Sequence, residues 1–231
     1  MSVYAELKER AWINNLDLPR HGLVLFTFGN VSAIDRARGA VAIKPSGVPY
    51  DRLTADDMVV VDLDHNIVEG KLRPSSDTNT HLVLYKEFPG IGGITHTHAT
   101  YSTAWAQARR PIPILGTTHA DHLASAIPCA APLTAERISR DYEAETGRQI
   151  VEALRGRSYR EIEMILLPSH GPFTWGKTPE QAVYNAVVLE EVAKTALLTL
   201  MIDPHTPEID PALAHKHFTR KHGKDRYYGQ E

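Results

Sequence analysis

In the stretch "GGITHTH", His96 and His98 stand two residues apart inside a β-branched run. Alternate side chains of an extended strand share a face, with Cα atoms ~6.6 Å apart, so both imidazoles can converge on one point. On a helix the same spacing would turn them to nearly opposite sides. Ile94, Thr95 and Thr97 favour the strand. Two converging imidazoles are the start of a divalent-cation site, and catalytic zinc usually takes three protein ligands and keeps one position open. His170 in "LPSHGPF" lies at the end of an apolar stretch that reads as a strand, before a Gly-Pro turn, and is the leading third ligand. His119 and His122 in "GTTHADH" compete with it for that place. Asp77 in "RPSSDTNTH" is the best carboxylate, with the alternative that it only caps the helix that follows. Such ligands suit zinc first, with manganese, cobalt or nickel admitted by the same geometry.

These residues need elements to hold them. The N-terminal segment "MSVYAELKERAWINNLDLP" predicts an amphipathic helix ending before Pro19. "LVLFTFGNVSAID" and "GAVAIKPSG" read as strands, and "TADDMVVVDLD" as a capped turn and a third strand closed by a hairpin turn at "DHNI". A helix over "DTNTHLVLYKEF" leads into the His-x-His strand, and helices resume at "TYSTAWAQA" and "TAERISRDYEAETGRQIVEALRG". The strand "EMILLPSHG" is followed closely by "PFTWGK". The long helix that comes next starts with Thr178 as cap, Pro179 at its first position and Gln181 reaching back, and it packs through Val183, Val187, Leu189, Ala193, Leu197 and Leu200. Closely neighbouring strands with helices interposed predict a three-layer α/β/α fold around a mostly antiparallel sheet. Without repeats or a low-complexity linker, residues 1–231 are expected to form a single domain.

With 42% hydrophobic residues in 231, the chain can bury one large core, and a net charge of −3 argues against a protein built for polyanions. The single cysteine, Cys129, rules out an internal disulfide and Cys-rich zinc sites, which suits a reducing cytosol. Charges stand where a secretory signal needs apolar residues, and Glu190, Glu191 and Lys194 interrupt the longest apolar run, so a cytoplasmic protein without a membrane partner is expected. The tail "HKHFTRKHGKDRYYG" is basic, but nothing elsewhere extends the stripe, so nucleic acid is not an expected partner.

The motifs "GNVSAID", "IKPSGV", "PSSDTNTH", "GGITHTH", "GTTHAD", "SHGPFTWGK", "AVVLEEVA" and "KHFTRKHG…YYGQ", in this order, resemble the L-ribulose-5-phosphate 4-epimerase family within the class II aldolase and epimerase superfamily. The resemblance implies a homotetramer of α/β/α subunits with active sites at subunit interfaces, a sugar phosphate as substrate and a divalent metal, usually zinc. It makes His96, His98 and His170 the metal-binding histidines, with Asp77 beside them. Substrate and phosphate contacts fall on Gly29, Asn30, Lys44, Ser46, Gly47, Ser75 and Ser76. The basic tail reads either as a solvated helix face or as an interface element reaching a neighbour's phosphate site, and His217 and Arg220 belong to the second reading. The proton-transferring pair corresponds to Asp121 and Tyr228, the tyrosine coming from across an interface. His122 replaces an aromatic residue that members often carry after that aspartate.

In a 2-ketopentose 5-phosphate, C4 lies β to the carbonyl, so its hydrogen is not acidified and deprotonation cannot invert it. Reversible cleavage of C3–C4 can, if a cation stabilises the charge left on the ketone fragment and the aldehyde turns over before the bond reforms. That scheme uses one proton handler for each orientation of the C4 oxygen, and a phosphate anchor that retains the aldehyde. Fuculose- and rhamnulose-phosphate aldolases, the nearest rivals, place a longer Glu where this chain has Asp77. The adducin head, a binding module of the same superfamily, lacks the metal histidines that are all present here.

Overall fold

The computed structural model describes residues 2–222, so Tyr228 lies outside the described residues. Helix α1 (Ala5–Arg20) leads to strands β1 (Asn30–Asp35) and β2 (Ala40–Ile43), a short 3-10 turn (Ala55–Asp57), β3 (Val59–Asp62) and β4 (Ile67–Glu69). Then follow α2 (Thr78–Glu87), β5 (Gly93–His96), α3 (Thr100–Gln107), α4 (Thr117–Ala120), α5 (Ala135–Ala153), β6 (Met164–Leu166), β7 (Pro172–Gly176), α6 (Pro179–Ile202) and α7 (Pro211–His222). The strands form one seven-stranded sheet in the order β4-β3-β2-β1-β5-β7-β6. Every pairing in it is antiparallel, as the sequence pattern led one to expect.

Period-two alternation divides the core into two layers. Val41, Val59, Val61, Ile94 and Trp175 join Leu84 and Tyr85 of α2 and Ile150 of α5 in one apolar cluster. Val31, Ala33, Ala40, Ala42 and Val60 join Leu7, Ala11 and Leu18 of α1 and Val183 and Ala186 of α6 in the other. The sheet is thus the middle layer of an α/β/α arrangement. Among the described residues no helix is long and apolar enough to cross a membrane.

The capping pattern of α6 forms as read: Thr178 Oγ1 accepts from Gln181 N at 3.3 Å, while the Gln181 side chain reaches one residue further back, to Lys177 N. Two local expectations are corrected. Helix α1 continues through Pro19 to Arg20. In its last turn a proline forfeits a single backbone bond, and burial of Leu18, 0% exposed, is worth about 1.5–3 kcal/mol against that loss. Residues 23–29, expected as part of a strand, are loop, because Phe26 (φ 53°) and Gly29 (φ 73°) adopt left-handed backbone that ends any extended run; the strand starts at Asn30.

Candidate functional site

Strand β5 runs between β1 and β7, and its last residue, His96, is in register with Asn30 on one side and Phe173 on the other. His96 is buried, and its Nδ1 donates to the Pro172 carbonyl at 2.8 Å. A carbonyl can only accept, so the proton is fixed on Nδ1 and Nε2 keeps its lone pair. That Nε2 lies 3.0 Å from Nε2 of His98, as alternate positions on an extended chain allow. His170 completes the group, its ring centroid 4.7 Å from that of His96 and 5.1 Å from that of His98.

A tight turn delivers His170: its N–H bonds to the Leu167 carbonyl, Ser169 has φ 61°, and a Cβ on Gly171 would come within 2.7 Å of the Thr97 carbonyl oxygen. Burial, aided by the neighbouring imidazoles, lowers the His170 pKa to about 3, and it also lowers that of His98. Neutral imidazoles offer lone pairs. Among the described residues, one ring nitrogen from each of His96, His98 and His170 lies within 4.8 Å of the others, a donor set that fits a divalent cation such as zinc. His119 and His122 are elsewhere: His119 Nε2 donates to Ser125 O at 3.0 Å, and the His122 ring packs edge-on to Tyr184.

Asp77 occupies the N-cap position of α2, yet its side chain caps nothing. Its Oδ2 instead accepts from Asn30 Nδ2 at 2.6 Å. Burial works against the charge of this carboxylate, but the His96 and His81 imidazoles and the Asn30 amide outweigh it and hold the pKa below the ordinary carboxylate value. The capping alternative therefore fails: the Asp77 carboxylate lines the same cavity as the histidines, but among the described residues the group of mutually close ligand atoms is His96, His98 and His170 without it.

A cavity of about 570 Å³ opens over this cluster. Gly29, Asn30, Lys44, Ser46, Gly47, Ser75, Ser76, Asp77, His96, His98 and His170 all line it. Lys44 is 1% exposed, with Nζ 4.8 Å from the centre of the Tyr50 ring, and it makes no salt bridge among the described residues. Burial lowers its pKa to about 8. Among the described residues Asn30 Oδ1 is buried without a partner, an acceptor able to take a ligand's proton. Gly47 has φ 71° and nothing within 4 Å of a would-be Cβ, so bare backbone faces the open space.

Asp121, His217 and Arg220 do not line this cavity. They meet one another where α7 docks on the end of α4: Arg220 Nε and Nη2 donate to the two Asp121 oxygens at 2.9 and 2.7 Å, and His217 Nδ1 lies 3.0 Å from Oδ1. Burial alone would raise the Asp121 carboxyl, but the bonds from Arg220 and His217 and the charge of Lys221 bring it down to about 2.

Sequence reasoning overlooked Phe28, Tyr142 and Glu143, which also line the cavity. Tyr142 and Glu143 arrive through a break in α5 at Asp141 (φ −163°, ψ 88°), which sets Tyr142 Oη 3.3 Å from His170 Nδ1. The apolar spacing of the segment reads as one unbroken helix and carries no signal of that break.

Residues 14–197 match the class II aldolase and adducin N-terminal domain, and the chain belongs to that family. Among solved structures, an L-fuculose 1-phosphate aldolase is 26% identical, with a TM-score of 0.79 over 94% of this chain and 96% of that one. The L-fuculose-1-phosphate aldolase of Thermus thermophilus is 28% identical, with a TM-score of 0.68 over 89% of this chain and 100% of its own. YgbL of Escherichia coli, at 21% identity, shares the fold, with a TM-score of 0.74 over 93% of this chain and 99% of that one.

Proposed function

We propose that this class II aldolase-family protein is a cytosolic epimerase interconverting L-ribulose 5-phosphate and D-xylulose 5-phosphate by reversible cleavage of C3–C4. His96, His98 and His170 would hold a divalent cation, zinc first, with Asp77 beside them. A bound cation supplies positive charge at the ketone end, where electrons accumulate as the bond breaks.

The remaining work belongs to the protein. The Lys44 ammonium, the hydroxyls of Ser46, Ser75 and Ser76 and the backbone around Gly47 form a polar wall suited to a phosphate, and they retain the aldehyde fragment while its carbonyl turns over. Asn30 Oδ1 and Gly29 position the sugar. Asp121, ionised, accepts the proton of the C4 hydroxyl in one orientation, and in the other the Tyr228 phenol donates its own proton to the C4 oxygen, the two groups being reset by proton exchange with water between turnovers. Asp121, His217 and Arg220 lie away from the cavity of their own chain, which supports a homotetramer whose sites are completed across interfaces.

The observation that carries the choice of epimerase is the tether between Asp77 and Asn30. A short carboxylate held at 2.6 Å and kept ionised is suited to positioning, whereas the longer Glu of fuculose- and rhamnulose-phosphate aldolases has the reach to act as acid and base. The likeness to L-fuculose 1-phosphate aldolases favours the second reading, cleavage of a 1-phosphorylated ketose to dihydroxyacetone phosphate and an aldehyde. Incubating the protein with L-ribulose 5-phosphate and with L-fuculose 1-phosphate separates the two. The expected product is D-xylulose 5-phosphate; free aldehyde without xylulose 5-phosphate reverses the assignment.

A further inference from the structure

Tyr50 does not line the cavity, yet its hydroxyl and its ring face each touch a group that does. The side chain is 7% exposed and packs in the apolar layer with Leu18, Val24 and Val31. Its hydroxyl proton is shared between the carbonyls of Phe28 and Gly29, at 2.8 and 2.9 Å. Burial pushes the phenol pKa up, so the hydroxyl keeps that proton and donates it. Successive carbonyls of an extended chain point to opposite sides. The left-handed backbone of Gly29, φ 73°, turns both onto one hydroxyl.

The ring meanwhile receives the Lys44 ammonium, whose Nζ lies 4.8 Å from its centre. Lys44 is 1% exposed, and its Nζ also donates to the Pro45 carbonyl at a long 3.4 Å. An ammonium taken out of water gains more from an aromatic face than an exposed one does, because the negative face of the ring stands in for the lost hydration. An ordinary core tyrosine needs one acceptor for its hydroxyl and no cation on its ring. A phenylalanine would fill the same apolar volume and withdraw the donor from the two loop carbonyls. A leucine would also take the ring from the ammonium.

We infer that Tyr50 is a positioning residue for the sugar-phosphate site: its ring holds the Lys44 ammonium in the phosphate wall, while its hydroxyl holds the Phe28–Gly29 turn, and with it the start of β1, against the sugar end of the cavity. One side chain thereby fixes the spacing between the two ends of a bound sugar phosphate. The inference rests on the reading that the wall around Lys44 takes a phosphate.

The test uses the full-length protein, inorganic phosphate and L-ribulose 5-phosphate as probes, and two variants that remove one contact or both. Tyr50→Phe keeps the ring and loses the hydroxyl. Its affinity for inorganic phosphate, read by NMR titration, should stay within about twofold of wild type. Amide hydrogen exchange in residues 24–29 should accelerate, and kcat should fall about tenfold at little-changed KM. Tyr50→Leu loses the ring as well, and it should in addition bind phosphate about tenfold more weakly and raise KM. In wild type the Lys44 side-chain protons should resonate upfield, under the ring current of Tyr50. Phosphate affinity equal in Tyr50→Leu and wild type, or exchange and kcat both unchanged in Tyr50→Phe, overturns the inference. Should Tyr50→Leu fail to fold, the Lys44 signals and Tyr50→Phe still decide. Wild type that binds neither probe is a different failure, that of the phosphate wall itself.

Discussion

Asn30 Nδ2 donates to Asp77 Oδ2 across 2.6 Å, tying the first residue of β1 to the N-cap of α2. Removing that donor leaves a half-buried carboxylate without its closest partner, which costs about 1–3 kcal/mol and frees its orientation. Asn30→Ala should weaken divalent-cation binding by about tenfold, read by titration calorimetry, and Asp77→Asn should do no less. Dialysis against a strong chelator should abolish turnover, and adding back zinc, manganese or cobalt should restore it. Turnover that survives complete removal of metal would contradict the role given to the histidines.

Lys44 links stability and binding with opposite signs. Its pKa falls from the ordinary lysine value to about 8 on folding, so between about 8 and 10 the unfolded chain holds a proton that the folded one has lost. Stability at this residue therefore rises as pH increases through that window. Lys44→Met removes a buried ammonium at constant shape and should stabilise the fold by about 2 kcal/mol at pH 7, measured by urea unfolding. The same change should raise KM for the phosphorylated substrate. In wild type KM should climb above pH 8 as the ammonium deprotonates.

Gly29 sits at the cavity wall with φ 73°, and a Cβ there would come within 2.8 Å of both the His96 carbonyl oxygen and Val24 Cγ1. Gly29→Ala combines left-handed strain with a clash against the backbone of a proposed metal ligand, and it should cost about 2–4 kcal/mol in thermal or denaturant unfolding. Gly47→Ala, at φ 71° with open space around it, should cost only about 1 kcal/mol. Equal losses at the two sites would refute the contribution of the close approach.

The Asp121 carboxylate binds Arg220 through both oxygens and meets His217 as well, and its pKa is held near 2. A depressed carboxyl adds stability above its unfolded value near 4, and this contribution is lost as pH falls from about 4 through 2. Asp121→Asn should lower stability by about 1–2 kcal/mol at pH 7 and flatten the acid limb of the stability profile. Hydrogen exchange should report the loosening in α7 and leave the β5 amides protected.

The histidine cluster was legible in the sequence because it depends on local rules: a period of two sets His96 against His98, and a Gly-Pro after His170 forces a turn at a strand end. The cavity gathers Gly29, Asn30, Lys44, Ser46, Gly47, Ser75 and Ser76, which were marked by their motifs, whereas His217 and Arg220 lie outside it with Asp121. Asp77 shows the limit of local reasoning, since cap position and cap bond are separate facts and only the packed neighbour Asn30 decides where the carboxylate turns. Tyr142 was hidden because a helix break leaves the apolar periodicity of α5 intact. Pro19 misled because the burial of Leu18, a tertiary effect, overrides the usual stop. The 23–29 loop has strand composition, and its left-handed Phe26 carries no mark in the sequence.

Asn30, His96 and Phe173 are cross-strand neighbours in the middle of the sheet, so the floor of the cavity is braced from both sides by ladder hydrogen bonds. Its rim is made of different material: Phe28 from a loop, Ser46 from a turn and Tyr142 from an interrupted helix. A chassis of this kind separates reactivity from selectivity. Redesign toward another sugar would begin at those three rim positions, with the braced centre left untouched.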